Sequence, residues 1–297
     1  MESLGARMRF GTSSWSAKSW LGNFYPQGTK PRDFLAAYAH VFKTVEADVT
    51  YYRVPSRSMV QGWRDRTPKD FVMAAKFPRG IVHAGQGPSP DASRVLVYDY
   101  AQKESEAFLT AMGELGSKCG PLVLQFPYFN SEAFKDAGPF MERLDTFLGS
   151  LPLEFRYAVE IRNKNWVSEE FLEMLRSHRV AFTLLDLAYM PHGDELSQEF
   201  NLVTTDFLYL RLIGDRKKID ALTETFDKLV IDQERSLRRW AKLINKLADE
   251  VSEIFGYANN HYAGHGPATA AQLQSLVRGE EPGAIPHTPR SGELPFS

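Results

Sequence analysis

The chain has 297 residues, of which 43% are hydrophobic, so it is long enough to bury a large core in one domain or two. Its 35 basic and 37 acidic residues leave a formal net charge of −2. This balance provides no broad basic surface for nucleic acid or for an anionic membrane, and we expect neither as a partner.

Eight short apolar runs are typical of β-strands, and amphipathic helical patterns separate them. The predicted strands are Met8–Ser13, Thr44–Tyr51, Phe71–Phe77, Pro121–Pro127, Tyr157–Asn163, Ala181–Asp186, Phe207–Gly214 and Glu253–Asn260. Strands that alternate with helices indicate βαβ units, and eight of them match an α/β fold of the (β/α)₈ TIM-barrel-like type. An open doubly wound sheet is the alternative, although no GxGxxG or GxxxxGK sequence follows any strand.

We predict one barrel domain over residues 1–280 and a disordered tail, rich in Pro and Gly, over residues 281–297. Two long loops follow the third and sixth strands, Pro78–Tyr100 and Ala188–Thr205. The role of the first is left open.

The single cysteine and the absence of long apolar runs indicate in which cellular compartment the protein is expected. Cys119 is the single cysteine, which excludes an internal disulfide and suits a reducing compartment. The sequence contains no run of about 18 apolar residues and no apolar signal-peptide core. We therefore expect a cytoplasmic protein, and the sequence leaves its oligomeric state open.

Polar side chains alternate with apolar ones along several strands and lie in the C-terminal half of each. They are Glu46, Asp48, Lys76, Gln125, Glu160, Arg162, Asp186, Arg211 and Asn260. Because the surrounding helix layer is apolar, these residues are predicted to face the barrel interior. The C-terminal end is where barrel active sites are built, so the sequence predicts a polar site there. A self-contained internal salt-bridge network is the structural alternative.

The residue types suggest roles in binding and acid–base chemistry. We predict Glu46, Glu160 and Asp186 as catalytic carboxylates, with a small anionic or sugar-like substrate. The predicted substrate-binding residues are Asp48, Tyr52, Arg53, Lys76, Gln125, Arg162, Arg211, Asn259 and Asn260. Arginine and lysine would anchor anionic oxygens, and the amides would orient hydroxyl groups. The sequence does not decide whether the reaction is that of a hydrolase or that of a lyase or isomerase.

Several loop residues are further candidates for catalysis or for binding. His83 and His261 follow strands and are further candidates for a general base, and the backbone amides around Gly264 and Gly266 are candidates for holding an anion. The chain has no HxH or HExxH sequence, so we assign no metal-binding residue. The sequence indicates no cofactor and leaves its identity open, including a hard divalent cation such as Mg²⁺ held by carboxylates and water. The functional alternatives are a metal-assisted phosphodiesterase and a non-catalytic ligand-binding barrel.

Several ordered motifs over residues 9–277 resemble the YecE-like family, whose members carry a domain of unknown function. They are FGTSSWSAKSWLGNFYPQG, FKTVEADVTYYRVPS, FVMAAKFPRGIVH, GPLVLQFP, YAVEIRNKNW, LYLRLIG and YANNHYAGHGPATA. The resemblance implies a TIM-barrel-like fold and supplies no activity. This chain has Asp48 where the family usually has asparagine.

Overall fold

Eight parallel strands form a nearly closed barrel in the computed structural model, which describes residues 7–85, 87–283 and 286–289. The strands are β1 (Arg7–Thr12), β2 (Thr44–Ala47), β3 (Val72–Lys76), β4 (Cys119–Gln125), β5 (Tyr157–Glu160), β6 (Ala181–Leu187), β7 (Phe207–Gly214) and β8 (Glu253–Ala258). From β2 to β8 each strand pairs with the next, and β8 pairs with β1. The prediction of a TIM-barrel-like fold is confirmed.

Helices lie between the strands and cover the outside of the barrel. They are α1 (Phe34–Val41), α2 (Arg57–Asp65), α3 (Arg79–Val82), α4 (Tyr98–Gly113), α5 (Gly138–Ser150), α6 (Glu169–Ser177), α7 (Gly193–Glu199), α8 (Arg216–Asp220), α9 (Glu234–Leu247), α10 (Asn260–Ala263) and α11 (Gly266–Val277). The two long connections are therefore not plain loops. The first contains α3 and the start of α4, and the second contains α7.

A tyrosine from the helix layer closes the seam between β1 and β2. Among the described residues no hydrogen-bond ladder joins these two strands. The Tyr38 hydroxyl of α1 accepts a hydrogen bond from Thr12 N (2.8 Å) and donates one to Thr44 O (3.1 Å), so it bridges both strands. Gly11 permits this approach, because a Cβ there would lie 2.2 Å from Thr44 O.

The barrel interior has an apolar layer below a polar C-terminal end, and the ion pairs of Glu253 with Arg9 and Arg156 lie at its N-terminal end. Val72, Val123, Phe207 and Phe255 belong to one buried interior cluster. Tyr209 lies in the same cluster, and its hydroxyl donates to the carboxylate of a buried glutamate that belongs to the polar end. The polar residues of the strands are thus placed at the end predicted for them.

Some strands end earlier than predicted. β2 stops at Ala47, and Asp48–Tyr51 forms a 3₁₀ turn in which the Thr50 hydroxyl donates to the backbone carbonyls of Ala47 and Lys76. β5 and β8 likewise end at Glu160 and Ala258. The predicted site residues that follow them therefore lie in turns, in loops or at the start of α10 at the barrel mouth, where side chains need not alternate in and out.

The predicted disordered tail falls largely outside the described residues. Of residues 281–297, only 281–283 and 286–289 are described. Thr288 is buried there, and its amide donates a hydrogen bond of 2.9 Å to the carbonyl of Phe24. Within the described chain, no helix is both long and apolar enough to cross a membrane.

Candidate functional site

Arg211 connects two buried carboxylates at the centre of the barrel mouth. Its guanidinium donates to Glu46 Oε1 at 2.9 Å and to Glu160 Oε2, and its Nε lies 2.9 Å from Glu46 Oε2. The Tyr209 hydroxyl also donates to Glu46, at 2.7 Å, and Gln125 Oε1 accepts from Arg211, also at 2.7 Å. Glu46 and Glu160 have no exposed surface, so these bonds replace the water that both carboxylates lose on burial.

Two more cations lie above this buried layer. Lys76 Nζ is 3.6 Å from Glu46 Oε1 and also forms an ion pair with Asp48. Arg162 Nε donates to Glu160 Oε1 at 2.9 Å, and the Arg162 side chain is 24% exposed. Burial raises the pKa of Glu160, but the charges of Arg211 and Arg162 outweigh burial and hold this pKa below its ordinary value. Glu160 is therefore a carboxylate anion at neutral pH.

A cavity of about 710 Å³ opens above these ion pairs. The predicted site residues that line it are Asp48, Tyr52, Lys76, Gln125, Arg162, Arg211 and Asn259. A smaller recess of about 170 Å³ adjoins the cavity and shares Asp48, Asn259 and His261 with it. A cavity of this size at the C-terminal end of a barrel has the dimensions and position of a small-molecule site.

His261 lies at the junction of the cavity and the recess. Its Nδ1 is 2.9 Å from Asn259 Oδ1, and its Nε2 is 3.1 Å from Asp220 Oδ1. Burial lowers the pKa of His261, and the nearby Asp220 carboxylate opposes that shift without cancelling it. His261 is thus neutral at pH 7 and in contact with the space that a ligand would occupy.

Asp186 does not join the other predicted residues, and its predicted orientation is wrong. Thr183 and Leu185 pair with Tyr209 and Arg211, so they face inward and Asp186 faces the helix layer. There its Oδ2 accepts hydrogen bonds from Ser236, Trp240 and Tyr262, which belong to α9 and α10. These three donors explain why a polar residue is tolerated on the outward side of a strand.

Other predicted residues lie beside the cavity without lining it. Arg53 is exposed on the loop after β2 and does not line the cavity. Asn260 lines only the recess, and its Oδ1 is occupied by Gly266 N and Trp20 Nε1. The amide of Gly266 is therefore not available to hold an anion as predicted. His83 is buried in its own loop, where its ring contacts backbone atoms.

Four charged or aromatic residues that line the cavity were missed by the sequence reasoning. They are Tyr189, Asp215, Arg216 and Lys217. The last three directly follow β7, and their position immediately after a strand was a signal that could have identified them. Tyr189 follows β6 in a connection that was treated as a loop of no assigned role.

The described residues contain no group of three or more His, Cys, Asp or Glu side chains arranged to hold a metal ion. The carboxylates of Glu46, Asp48 and Glu160 instead contact Arg and Lys side chains. These three carboxylates are therefore engaged in ion pairs with the protein's own cations.

Comparison with known proteins places the chain in a family. Residues 9–293 match the family model described as protein of unknown function DUF72. The chain belongs to the DUF72 family. This membership confirms the resemblance to YecE-like proteins, since YecE of Escherichia coli K12 is 32% identical over 136 residues, which are 46% of this chain and 43% of YecE.

Other DUF72 and related proteins are similar over a greater length. The UPF0759 protein YunF of Bacillus subtilis is 24% identical over 274 residues, which cover 89% of this chain and 93% of YunF. A crystal structure of a DUF72 family protein from Thermotoga maritima is 28% identical with a TM-score of 0.69, covering 92% of this chain and 99% of that one. The Thermotoga maritima structure supports the barrel architecture, and the names of both relatives assign no activity.

Proposed function

We propose that this barrel is an enzyme that binds a small anionic, polar substrate at its C-terminal mouth and acts on it by acid–base chemistry. The observation that carries the proposal is the charge of the cavity wall. Five basic side chains line the cavity, against two carboxylates, and the basic set is Lys76, Arg162, Arg211, Arg216 and Lys217. Glu46 and Glu160 compensate three of these cations from below but have no exposed surface, so the wall that a guest would touch carries more cations than carboxylates and favours an anionic guest.

Arg162 and Lys217 are the side chains best placed to bind the anion. Arg162 uses its Nε on Glu160, which leaves other N–H groups of its planar guanidinium for a carboxylate or phosphate. Lys217 is exposed at the cavity rim, and within the described part of the chain it has no ion-pair partner. An incoming anion would thus meet one positioned guanidinium and one uncommitted ammonium group.

Asp48 is the carboxylate best placed for proton transfer. Its side chain is 35% exposed, it lines both the cavity and the recess, and Lys76 holds it in position. Glu46 and Glu160, in contrast, have no exposed surface. We assign these two glutamates the role of positioning Arg211, Arg162 and Lys76 from below, and we assign the acid–base role to Asp48.

Two alternative functions are a ligand-binding barrel without turnover and a metal-assisted phosphodiesterase. A ligand-binding barrel without turnover would use the same contacts, so only conversion of a ligand separates it from an enzyme. No observation favours a metal-assisted phosphodiesterase, because the carboxylates of Glu46, Asp48 and Glu160 are paired with cations.

The test is a thermal-shift screen of the full chain with sugar acids, phosphorylated sugars, small dicarboxylates and neutral sugars, followed by NMR analysis of products for each hit. Anionic compounds are expected to raise the melting temperature, because a ligand that binds the folded state stabilises it. Arg162→Gln should weaken binding, while Asp48→Asn should retain binding and lose conversion. Lys246→Gln removes a positive charge from an exposed position on α9 and serves as the matched control.

Each outcome has a clear reading. Binding that depends on Arg162 together with conversion that depends on Asp48 supports the proposal. Binding without conversion assigns the barrel to the ligand-binding class, and a screen in which neutral sugars bind as well as their acids rejects the anion site.

A further inference from the structure

Two exposed tyrosines line the cavity from opposite sides of the barrel. Tyr52 follows β2 and Tyr189 follows β6, and in the strand order these positions are four strands apart in a barrel of eight. Tyr52 is 72% exposed and Tyr189 is 53% exposed, yet both belong to the lining of the same cavity. A single exposed tyrosine is ordinary, but a pair across one polar cavity leaves two aromatic faces available to a ligand.

A neighbouring side chain lies beside each of the two tyrosines. Tyr51 packs edge-on against Tyr52, with centroids 5.5 Å apart and planes at 88°. Burial raises the pKa of the Tyr189 hydroxyl and the charge of Arg162 opposes that rise, so Tyr189 lies close to the predicted anion-binding residue. An aromatic side chain has few rotatable bonds, and it therefore supplies contact area at a low entropic cost when a ligand binds.

The other groups that line the cavity and the recess include several polar ones. Gln125, Asp48 and Asn259 present amide and carboxylate groups to the same cavity, and the adjoining recess adds Ser13. The Ser13 hydroxyl has no hydrogen-bond partner among the described residues. The cavity thus has an aromatic side chain on each of two sides and several hydrogen-bonding groups in its lining and in the recess.

We infer that the substrate is a sugar ring bearing a carboxylate or phosphate, with one face of the ring against Tyr52 and the other against Tyr189. A sugar ring presents C–H groups on its faces and hydroxyls around its edge, which matches aromatic walls above a hydrogen-bonding floor. The acidic group binds Arg162 and Lys217, and an exocyclic group of the sugar enters the recess. This inference rests on the proposed function, because it specifies the ligand of the same site.

The experiment compares locked rings with open chains of the same charge. Methyl glucuronosides and methyl hexoside 6-phosphates are the ring probes, gluconate and sorbitol 6-phosphate are the open-chain probes, and phenyl phosphate tests a flat aromatic ring. Calorimetric affinities are measured for the full chain and for Tyr52→Ala, Tyr189→Ala and Tyr52→Phe. Tyr128→Ala is the matched control, since Tyr128 is 58% exposed after β4 and lies outside the cavity lining.

The ring probes are expected to bind more tightly than the open chains. Each alanine variant should weaken ring binding by about three- to tenfold and leave open-chain binding unchanged, because it removes one aromatic contact. Tyr128→Ala should bind like the unaltered chain, and Tyr52→Phe, which keeps the aromatic ring, should restore the ring binding that Tyr52→Ala loses.

Three results would overturn the inference. They are equal binding of ring and open-chain probes, ring binding that is indifferent to both tyrosines, and binding of phenyl phosphate in preference to every sugar. If Arg162→Gln still weakens the binding of open-chain anions in those cases, the proposed anion site survives and only the sugar ring is rejected. If Arg162→Gln changes nothing for any probe that binds, the proposed function fails, and the tyrosine variants then decide separately whether a ring is bound.

Discussion

The guanidinium of Arg211 donates a hydrogen bond to the carboxylate of Glu160 at a depth where both side chains are almost wholly removed from water. Glu46 is bound to the same guanidinium, so one cation compensates two buried anions. Removing a single partner from such an arrangement leaves an uncompensated buried charge, which costs more than the ion pair itself contributes.

Arg211→Met is therefore expected to lower the free energy of unfolding by about 3 to 5 kcal/mol, measured by urea denaturation at pH 7. Arg162→Met is the matched control. It removes a partly exposed partner of the same Glu160 and should cost only about 1 kcal/mol. Equal losses in the two variants would contradict the central position assigned to Arg211.

The depressed pKa of Glu160 predicts how stability depends on pH. The unfolded carboxyl has its ordinary value of 4.5, and in the folded state Arg211 and Arg162 outweigh burial and hold the pKa lower. Between these two values the unfolded chain binds more protons, so the stabilisation is complete above pH 4.5 and is lost as the pH falls through the folded pKa. Glu160→Gln should consequently show a flatter rise of unfolding free energy from acid to neutral pH.

Glu104 is the control for that experiment because burial raises its pKa. The folded chain then binds more protons than the unfolded chain above pH 4.5, which reduces the rise of stability with pH. Glu104→Gln should make the rise steeper, the opposite of Glu160→Gln. Matching slopes in the two variants would refute both assignments.

His265 predicts a second acid-sensitive step. It caps α11 by accepting a hydrogen bond from Ala268 N at 3.2 Å, and burial lowers its pKa from 6.5 to about 4. The unfolded chain binds the proton first, so stability falls as the pH decreases from 6.5 towards 4, by about 2 to 3 kcal/mol. His265→Asn keeps a capping oxygen and should abolish this part of the loss in urea denaturation. A variant as acid-sensitive as the unaltered chain would contradict the prediction.

Asp186 tests whether a polar residue on a strand supports the site or the scaffold. Asp186→Ala leaves the Trp240 indole N–H and the Tyr262 and Ser236 hydroxyls without their acceptor. We expect a loss of about 1 to 3 kcal/mol in the free energy of unfolding and unchanged affinity for any anion found in the screen. Asp48→Ala should instead lose conversion of the ligand with little loss of stability, since Asp48 is partly exposed and lines the cavity. If Asp186→Ala lost ligand binding while its free energy of unfolding stayed unchanged, Asp186 would belong to the ligand site after all.

The barrel and part of its site could be predicted because the alternation of polar and apolar residues along a strand indicates which side chains face the barrel interior. Glu46, Lys76 and Arg211 each follow a pattern in which their neighbours are apolar and face the helices, so the polar side must face inward. Asp186 was misplaced because Leu184 and Leu185 are both apolar, and alternation then gives no direction for the residue that follows.

The residues after the strands were harder to predict for a physical reason. Beyond the last strand residue the backbone turns, and the position of Arg53 or Tyr189 then depends on the loop conformation. Arg53 was expected in the site and lies beside it, whereas Tyr189 was not expected and lines it. The loops decide which charges and rings reach a ligand, and no periodic pattern encodes them.

Gly214, the last residue of β7, gives the sharpest test of how the scaffold supports the cavity. Its φ of +75° is a left-handed conformation, and a Cβ there would lie 2.6 Å from Tyr262 Cα and 2.7 Å from His261 O. Gly214→Ala must therefore displace α10, which carries His261, besides straining its own backbone. Gly279 also has φ of +75° but open space around it, so Gly279→Ala measures the backbone strain alone, about 1 kcal/mol. We expect Gly214→Ala to lose more stability than Gly279→Ala in urea denaturation and to weaken ligand binding as well. Equal losses would mean that the contact between β7 and α10 does not hold His261 at the cavity.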